Sequence, residues 1–495
     1  MTVTESRLAL KRNELLLDSS LIAGERKASA DGATFAVRNP ATGEILTHVP
    51  DCTASDASFA VDAAVRAFPD WRARTAKERS AVLKAWHALL MANQEDLARI
   101  ISLEEGKPLT ESRGEVAYGA AFVEWFAEEA KRAYGEVIPE NVRGRKLIVV
   151  KEPVGVVAAV TPWNFPIAML TRKAAPALAV GCTFISKPAE DTPLSALAIA
   201  MLAQEAGVPA GVLNVVTASR ERTPAVVERL LNDTRVRKLT FTGSTAVGKL
   251  LLRQSADTLK RVSLELGGNA PFIVFDDADV DAAVSGAIAA KFRNTGQTCV
   301  CANRILVQSR IYDLFAQKMA DAVSHLRVAP ATQPDAEQGP LINERALKKV
   351  EDHLRDAVAR GARVLVGGKR HPAGPMFFEP TVIADATSEM KLAGEETFGP
   401  IAPLFRFDDE AEAIRLANDT PFGLAAYFYA RDIGRVWRVA AALEAGMVGI
   451  NEGIISTEVA PFGGVKESGI GREGARQGME EYQNLKYLCM GGLGS

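Results

Sequence analysis

Cysteine and histidine are scarce in this chain, with five of each among 495 residues. Cys52, Cys182, Cys299, Cys301 and Cys489 are too few and too scattered for the disulfide framework of a secreted domain, so a reducing, cytoplasmic compartment is expected. His48, His87, His325, His353 and His371 are dispersed, and the Cys299–Cys301 pair has no second pair to complete it. A zinc site is therefore disfavoured and no metal is expected. A surplus of charge is missing too: Lys+Arg 58 against Asp+Glu 61 leaves a net charge of −3, which gives no footprint for nucleic acid or an anionic membrane. Residues 1–20 mix Arg7, Lys11 and Arg12 with Glu5, Glu14 and Asp18, so no targeting segment is expected. One uncharged stretch, 153–171, approaches membrane-spanning length. It contains Pro153, Pro162, Pro166 and Asn164, and lipid cannot satisfy the backbone groups those prolines free, so it reads as a buried strand and a loop.

What is present is the composition of a folded protein, 47% hydrophobic and 24% charged, in a chain long enough for two or three domains. Residues 37–50 read as extended with a turn at 39–43. Apolar spacings of three and four predict helices over 55–67, 76–104 and 110–132, and 145–152 reads as a strand. Strands and helices then alternate, with strands at 154–160, 183–187, 212–217, 238–242 and 262–266 and helices at 167–179, 193–206, 222–231 and 245–257. That beat predicts a parallel, doubly wound α/β sheet, which binds ligands at the carboxyl ends of its strands. A second α/β beat follows: strands at 271–275, 304–307, 363–366 and 402–407, helices at 279–293, 310–326, 344–360, 410–418 and 432–445. Residues 482–490 read as a last strand and 491–495 as a tail.

Four segments carry chemistry. In FRNTGQTC (292–299) a helix runs into a turn at Gly296 that presents Cys299 among polar neighbours. Such a cysteine is a candidate nucleophile; the segment alone leaves a buried, inert thiol equally open. In VSLELGGNAP (262–271) Glu265 is an acid within an apolar strand, where burial suits it to take a proton near neutral pH; a salt-bridged strand-end acid is the equal alternative. FTGSTAVGKL (241–250) nearly matches a phosphate-binding loop, but Leu250 stands where Ser or Thr should hold magnesium. Triphosphate hydrolysis is rejected, although the amides at this helix start can still meet a phosphate. TPWN (161–164) and SKPAE (186–190) end successive strands. Lys187 and Glu190 can hold a ribose by its hydroxyls, and an acid there favours NAD over NADP; a merely solvated pair is the commoner case. No G-x-G-x-x-G stands at a strand–helix junction.

Together these segments resemble the aldehyde dehydrogenase superfamily over roughly residues 20–490, through TPWNFP, SKPAEDTP, FTGSTAVG, LELGGNAP, FRNTGQTC, EETFGP and PFGGVKESG in order. Within it, FRNTGQTCVCANR, the TRK after the Trp-Asn motif and NEGIIS look most like the succinate-semialdehyde dehydrogenases. The resemblance implies a Rossmann-type NAD(P)-binding domain (1–136 and 154–267), a second α/β catalytic domain (268–481) and a small β oligomerisation arm (137–153 and 482–495) that assembles a homodimer or homotetramer. It implies Cys299 as nucleophile, Glu265 as general base and Asn164 as the oxyanion donor. The implied cofactor contacts are Thr161, Pro162, Trp163, Lys187, Pro188, Ala189, Glu190, Gly243, Ser244, Leu266, Glu396 and Phe398. Arg172, Arg293 and Ser456 would hold the far carboxylate of a semialdehyde acid, with a structural salt bridge as the alternative for Arg172. Cys301 is a candidate for a reversible disulfide with Cys299. The expected reaction is NAD(P)-dependent oxidation of succinate semialdehyde, with NAD preferred and NADP possible. Glutarate semialdehyde is the neighbouring alternative and redox-free thioester transfer a remote one.

Overall fold

In the computed structural model, which describes residues 10–492, five strands form the heart of a first sheet: Val156–Val160, Thr183–Lys187, Leu213–Val215, Val236–Thr242 and Arg261–Glu265. Residues 1–9 and 493–495 lie outside the described residues, and with them the start of the segment expected to lack targeting features and the end of the expected tail. The strands are runs of Val, Ala, Ile and Phe, buried as parallel strands covered on both faces must be. Their spatial order is third, second, first, fourth, fifth in chain order, the doubly wound arrangement with its switch between the first and the fourth. Val160 pairs with both Lys187 and Phe241, and Thr242 pairs with Glu265. The carboxyl ends are therefore level, and the loops at 161, 188, 243 and 266 leave from one rim.

Ser20–Ile22 and Glu25–Lys27 extend one edge of this sheet, and Gly469–Ile470 closes the other by pairing with Leu264 and Glu265. That last strand belongs to the stretch expected in the second unit, yet it completes the first sheet. Helix Ala168–Val180 packs beneath the rim and is buried on every side, Arg172 and Lys173 included.

The second sheet has seven strands, in the order Arg363–Val366, Thr381–Ala384, Ile401–Phe407, Ala302–Gln308, Ala270–Val274, Ala425–Tyr429 and Met447–Ile450. The second, sixth and seventh of these were not anticipated: two are four residues long, and Ala425–Tyr429 opens on two alanines, which have little strand preference. Other differences are local. The helix expected over 76–104 is two, Ala76–Ala92 and Gln94–Glu104, because the Asn93 amide donates to the Leu89 carbonyl (2.7 Å) and competes with the helix at that point. Helix Leu109–Glu129 tightens into a 3-10 turn over its expected last residues. Residues 37–50 belong to a hairpin, Thr34–Arg38 with Ile45–Pro50. Gln483–Met490 pairs along its whole length with Lys146–Pro153, which also pairs with Glu136–Ile138; this separate three-stranded sheet exposes Val137, Leu485 and Tyr487. Among the described residues no helix is long and apolar enough to cross a membrane.

Buried charges fix the rim from below. Glu104 accepts from the backbone N–H groups of Leu194 and Ser195 (2.8 Å each) at the start of helix Pro193–Glu205, the end of a helix that favours an anion. Lys107 is fully buried and donates to Glu115 Oε2 (2.5 Å) and to the backbone carbonyl of Asn164 (2.7 Å). The other Glu115 oxygen accepts from Ile167 N (3.0 Å) and Ala168 N (3.4 Å), so one ion pair grips the 161–167 loop at Asn164 and at its end. Lys107→Met leaves Glu115 charged in a dry site and is expected to cost about 3–5 kcal/mol, read as a fall in the calorimetric unfolding temperature. Lys107→Met combined with Glu115→Gln removes both charges and should recover most of the loss; a double variant no more stable than the single one would contradict this account.

Candidate active site

The rim loops bring the predicted cofactor residues to one crevice. Thr161 donates its backbone N–H to the Lys187 carbonyl (3.2 Å), which aligns TPWN with SKPAE. Lys187 is buried and its Nζ lies 3.4 Å from Glu190 Oε2, with Pro188 and Ala189 between them; Glu190 stays half-buried at the rim. This pair offers one donor and one acceptor, the set a ribose needs. The hydroxyls of Ser186 and Thr242 are buried without a hydrogen-bond partner. Gly243 N donates to the Glu265 carbonyl (3.0 Å), and Ser244 caps helix Thr245–Ala256, whose first-turn amides face the crevice as a phosphate site would require. Gly248, part of the near-match to a phosphate loop, serves packing: a Cβ there would lie 2.4 Å from Leu266 Cδ2. The Trp163 ring meets Phe398 edge-on (5.6 Å, 84°). Glu396 accepts from Gly268 N (3.3 Å), and burial raises its carboxyl to about 7. These groups fit a dinucleotide.

Cys299 follows a tight turn. Asn294, Thr295 and Gly296 are all left-handed (φ 50°, 56° and 74°), a conformation that costs a non-glycine residue on the order of 1–3 kcal/mol. The surroundings hold it there. Asn294 N donates to Glu111 Oε2 (2.8 Å), and Thr295 Oγ1 accepts from Gly339 N (3.0 Å) and donates to Gly339 O (3.2 Å). A Cβ at Gly296 would lie 2.3 Å from the Gly399 carbonyl, so only glycine fits. Asn294 Nδ2 donates to the Asn164 carbonyl (3.1 Å), and Asn164 Nδ2 donates to the Gln297 carbonyl (2.9 Å), so the turn and the oxyanion loop are bonded twice. One Asn164 amide proton remains available beside the half-buried Cys299. Gly268 passes so close that a Cβ would meet the Cys299 carbonyl at 2.8 Å. Burial pushes the Cys299 thiol up to about 12; the Arg172 charge opposes that, while Glu396 and Glu265 add to it.

Glu265 is buried and its Oε2 has no partner. Burial and the like charge of Glu473 hold its carboxyl well above the usual range, against the pull of Arg172, Lys173 and Arg472. Glu473 is a residue the sequence did not single out. It forms ion pairs with both Arg172 Nε and Lys173 Nζ, so the structural salt bridge weighed for Arg172 exists. The ion pair is made through Nε, and Nε, Nη1 and Nη2 are all buried without a hydrogen-bond partner of good geometry among the described residues. The Arg172 guanidinium lies over Phe462 (4.4 Å) and that of Arg293 over Phe165 (5.5 Å), so both are held by their aromatic faces.

Ser456 is half-buried on the loop after Met447–Ile450 and makes no hydrogen bond among the described residues. Cys301 is buried with its thiol against the Lys291 carbonyl (3.3 Å) and Thr298 Oγ1 (2.9 Å); bridging to Cys299 requires leaving both.

The sequence pattern of the aldehyde dehydrogenase family matches residues 27–488. A 3-sulfolactaldehyde dehydrogenase of Pseudomonas putida is 57% identical over 98% of this chain and 99% of its own. The succinate-semialdehyde dehydrogenase [NADP(+)] GabD of Escherichia coli K12 is also 57% identical, over 98% of this chain and 100% of its own. The crystal structure of a succinate-semialdehyde dehydrogenase from Burkholderia pseudomallei superposes with a TM-score of 0.96 at 58% identity, covering 98% of this chain and 100% of that one. With the Cys299 turn, the buried Glu265 and the rim of the first sheet meeting in one fold, the chain belongs to the aldehyde dehydrogenase family.

Proposed function

We propose that the enzyme oxidises a short aldehyde bearing an acidic group at its far end, succinate semialdehyde foremost, with NAD preferred over NADP. The observation that carries this is the pair of guanidinium groups beside Cys299, laid on Phe462 and Phe165, with the Arg172 Nη atoms lacking an acceptor. An arginine fork is the natural partner of a carboxylate. Glutarate semialdehyde fits the same clamp, since one methylene is worth only about 1–3 kcal/mol in a pocket.

Cys299, once its thiol proton has been given up to solvent, attacks the aldehyde carbon as the thiolate. The new oxyanion is held by the free Asn164 amide proton and the Cys299 backbone N–H, donors fixed before the reaction by the two bonds between the turn and the loop. When bound, the nicotinamide supplies the hydride acceptor that turns this adduct into a thioester. Glu265, held well above the usual carboxylate range by burial and by Glu473, takes a proton from the water that hydrolyses the thioester and frees Cys299. Glu190 is the reason to favour NAD, because its charge opposes a 2′-phosphate; Lys187 beside it leaves NADP usable. Residues 10–136 and 154–267 serve as the cofactor-binding unit and 268–481 as the catalytic one. The three-stranded sheet with its exposed Val137, Leu485 and Tyr487 is the surface through which copies assemble as a homodimer or homotetramer.

Initial rates with succinate semialdehyde, glutarate semialdehyde, 3-sulfolactaldehyde and butyraldehyde test the substrate class. The acidic aldehydes should have much the higher kcat/KM, and Arg293→Ala should raise KM for them by about 10- to 100-fold while changing butyraldehyde little. Equal loss on both kinds of substrate would return Arg293 to a structural role. Glu190→Ser should shift the NAD to NADP ratio toward NADP by roughly tenfold; an unchanged ratio would remove Glu190 from cofactor choice. Without cofactor or substrate, iodoacetamide should alkylate Cys299 at a rate that climbs close to tenfold per pH unit from 7 to 10, because the thiolate is the reactive form and the thiol titrates only near 12. A plateau below pH 9 would show a thiol already lowered in the free enzyme.

A further inference from the structure

Arginine can donate hydrogen bonds but never accept them, which makes the neighbourhood of Arg172 and Arg293 a place with more donors than acceptors. The carboxylate paired with Arg172, Glu473, is shared with Lys173, while Glu265 and Glu111 act on Arg172 and Arg293 through charge without an ion pair among the described residues. A third donor faces the same space. Tyr118 lies on helix Leu109–Glu129 next to Gly119, and Gly119 lets that helix press against Ala168–Val180: a Cβ there would sit 2.7 Å from Ile167 Cγ2 and 3.2 Å from Thr171 Oγ1. The close approach sets Tyr118 beside Arg172, the residue after Thr171. The Tyr118 ring is held edge-on against Phe122 (4.9 Å, 64°). Its hydroxyl is buried beside the Arg172 guanidinium, which can donate to the phenol oxygen, and feels the charges of Arg172 and Arg293; its own proton finds no acceptor among the described residues.

We infer that Tyr118 is a specificity-determining residue, whose hydroxyl donates to the acidic group at the far end of the substrate alongside Arg172 and Arg293. This rests on the reading that the substrate carries such a group. The chemistry is that of donors awaiting an acceptor. With guanidinium groups as its charged neighbours, the phenol oxygen can only be approached by donors, and its own proton is left without an acceptor among the described residues. A carboxylate or sulfonate entering the pocket offers a shared acceptor to the Tyr118 proton and the Arg172 guanidinium. An uncharged aldehyde of the same length leaves all of them unmet in a dry site, which is the arrangement that discriminates most strongly between substrates. Burial holds the phenol above its ordinary titration range, although Arg172 and Arg293 pull the other way, so at neutral pH it keeps the proton it would donate.

The test compares wild type with Tyr118→Phe, which removes one oxygen and keeps the ring against Phe122. Each is assayed with succinate semialdehyde and with butyraldehyde, and each is inhibited with succinate. Tyr118→Phe should lower kcat/KM for succinate semialdehyde by about 10- to 100-fold, mostly through KM, and weaken succinate inhibition to a similar degree. Its butyraldehyde kinetics should stay within about twofold of wild type, and its unfolding temperature should match wild type. If wild type prefers succinate semialdehyde and Tyr118→Phe keeps that preference, the Tyr118 assignment falls while the substrate reading stands. If both substrates lose rate equally, the phenol serves the reacting end and the assignment is again overturned. If wild type itself shows no preference for the acidic aldehyde, the substrate reading fails and the inference with it.

Discussion

The carbonyl oxygen of Asn164 joins the two halves of this molecule. It accepts from Lys107, which anchors the first sheet's rim loop, and from Asn294, which belongs to the turn ahead of Cys299. The return bond, from the Asn164 amide to Gln297, closes a small ring across the junction. Asn164 and Cys299 come from different sheets, and their relative position is set by these three hydrogen bonds rather than by either sheet alone. The left-handed turn at 294–296 is tolerable because Glu111 and Gly339 pin it from two other directions. Preorganisation here means that the strain is met by the fold before any substrate arrives.

Below and above this junction the electrostatics run in opposite senses. Beneath it, Glu104, Glu105, Glu111 and Glu115 surround one lysine; burial holds Glu104 and Glu105 each at about 8. On the substrate side, arginines and a phenol lie almost without acceptors. Cys299 stands between, with its thiol raised by burial and eased by Arg172. The same guanidinium thus steadies the nucleophile's charge, offers its outer nitrogens to the pocket and pairs with Glu473, three demands met by different faces of one side chain.

Much of this was legible in the chain. Parallel strands buried on both faces are continuous apolar runs, so the five strands of the first sheet were placed to within about two residues. The polar residues at their ends, Asn164, Lys187, Glu190, Gly243 and Glu265, fell on the rim because such sheets leave little choice. What escaped were residues whose meaning lies in a distant partner. Lys173 meets Glu473 across 300 positions, and Lys107 meets the Asn164 carbonyl across 57. Tyr118 sits in an ordinary helical pattern, and nothing local marks its hydroxyl as orphaned. At Gly248, in the near-match to a phosphate loop set aside because of Leu250, the close approach is that of the Leu266 side chain.

The antiparallel strand Gly469–Ile470 carries a consequence for how the protein is made. It supplies the outer edge of the first sheet, beside Glu265, and three residues later the chain delivers Glu473 to Arg172 and Lys173. During synthesis the parallel strands of that sheet can assemble early, but their last neighbour leaves the ribosome only when the chain is nearly finished. Until then Leu264 and Glu265 line an open edge, and Arg172 and Lys173 are two like charges side by side on one helix without a counterion. A nascent or truncated chain therefore has Cys299 and Glu265 in place before Glu473 reaches Arg172 and Lys173. Completion of the sheet and completion of the active site are the same late event.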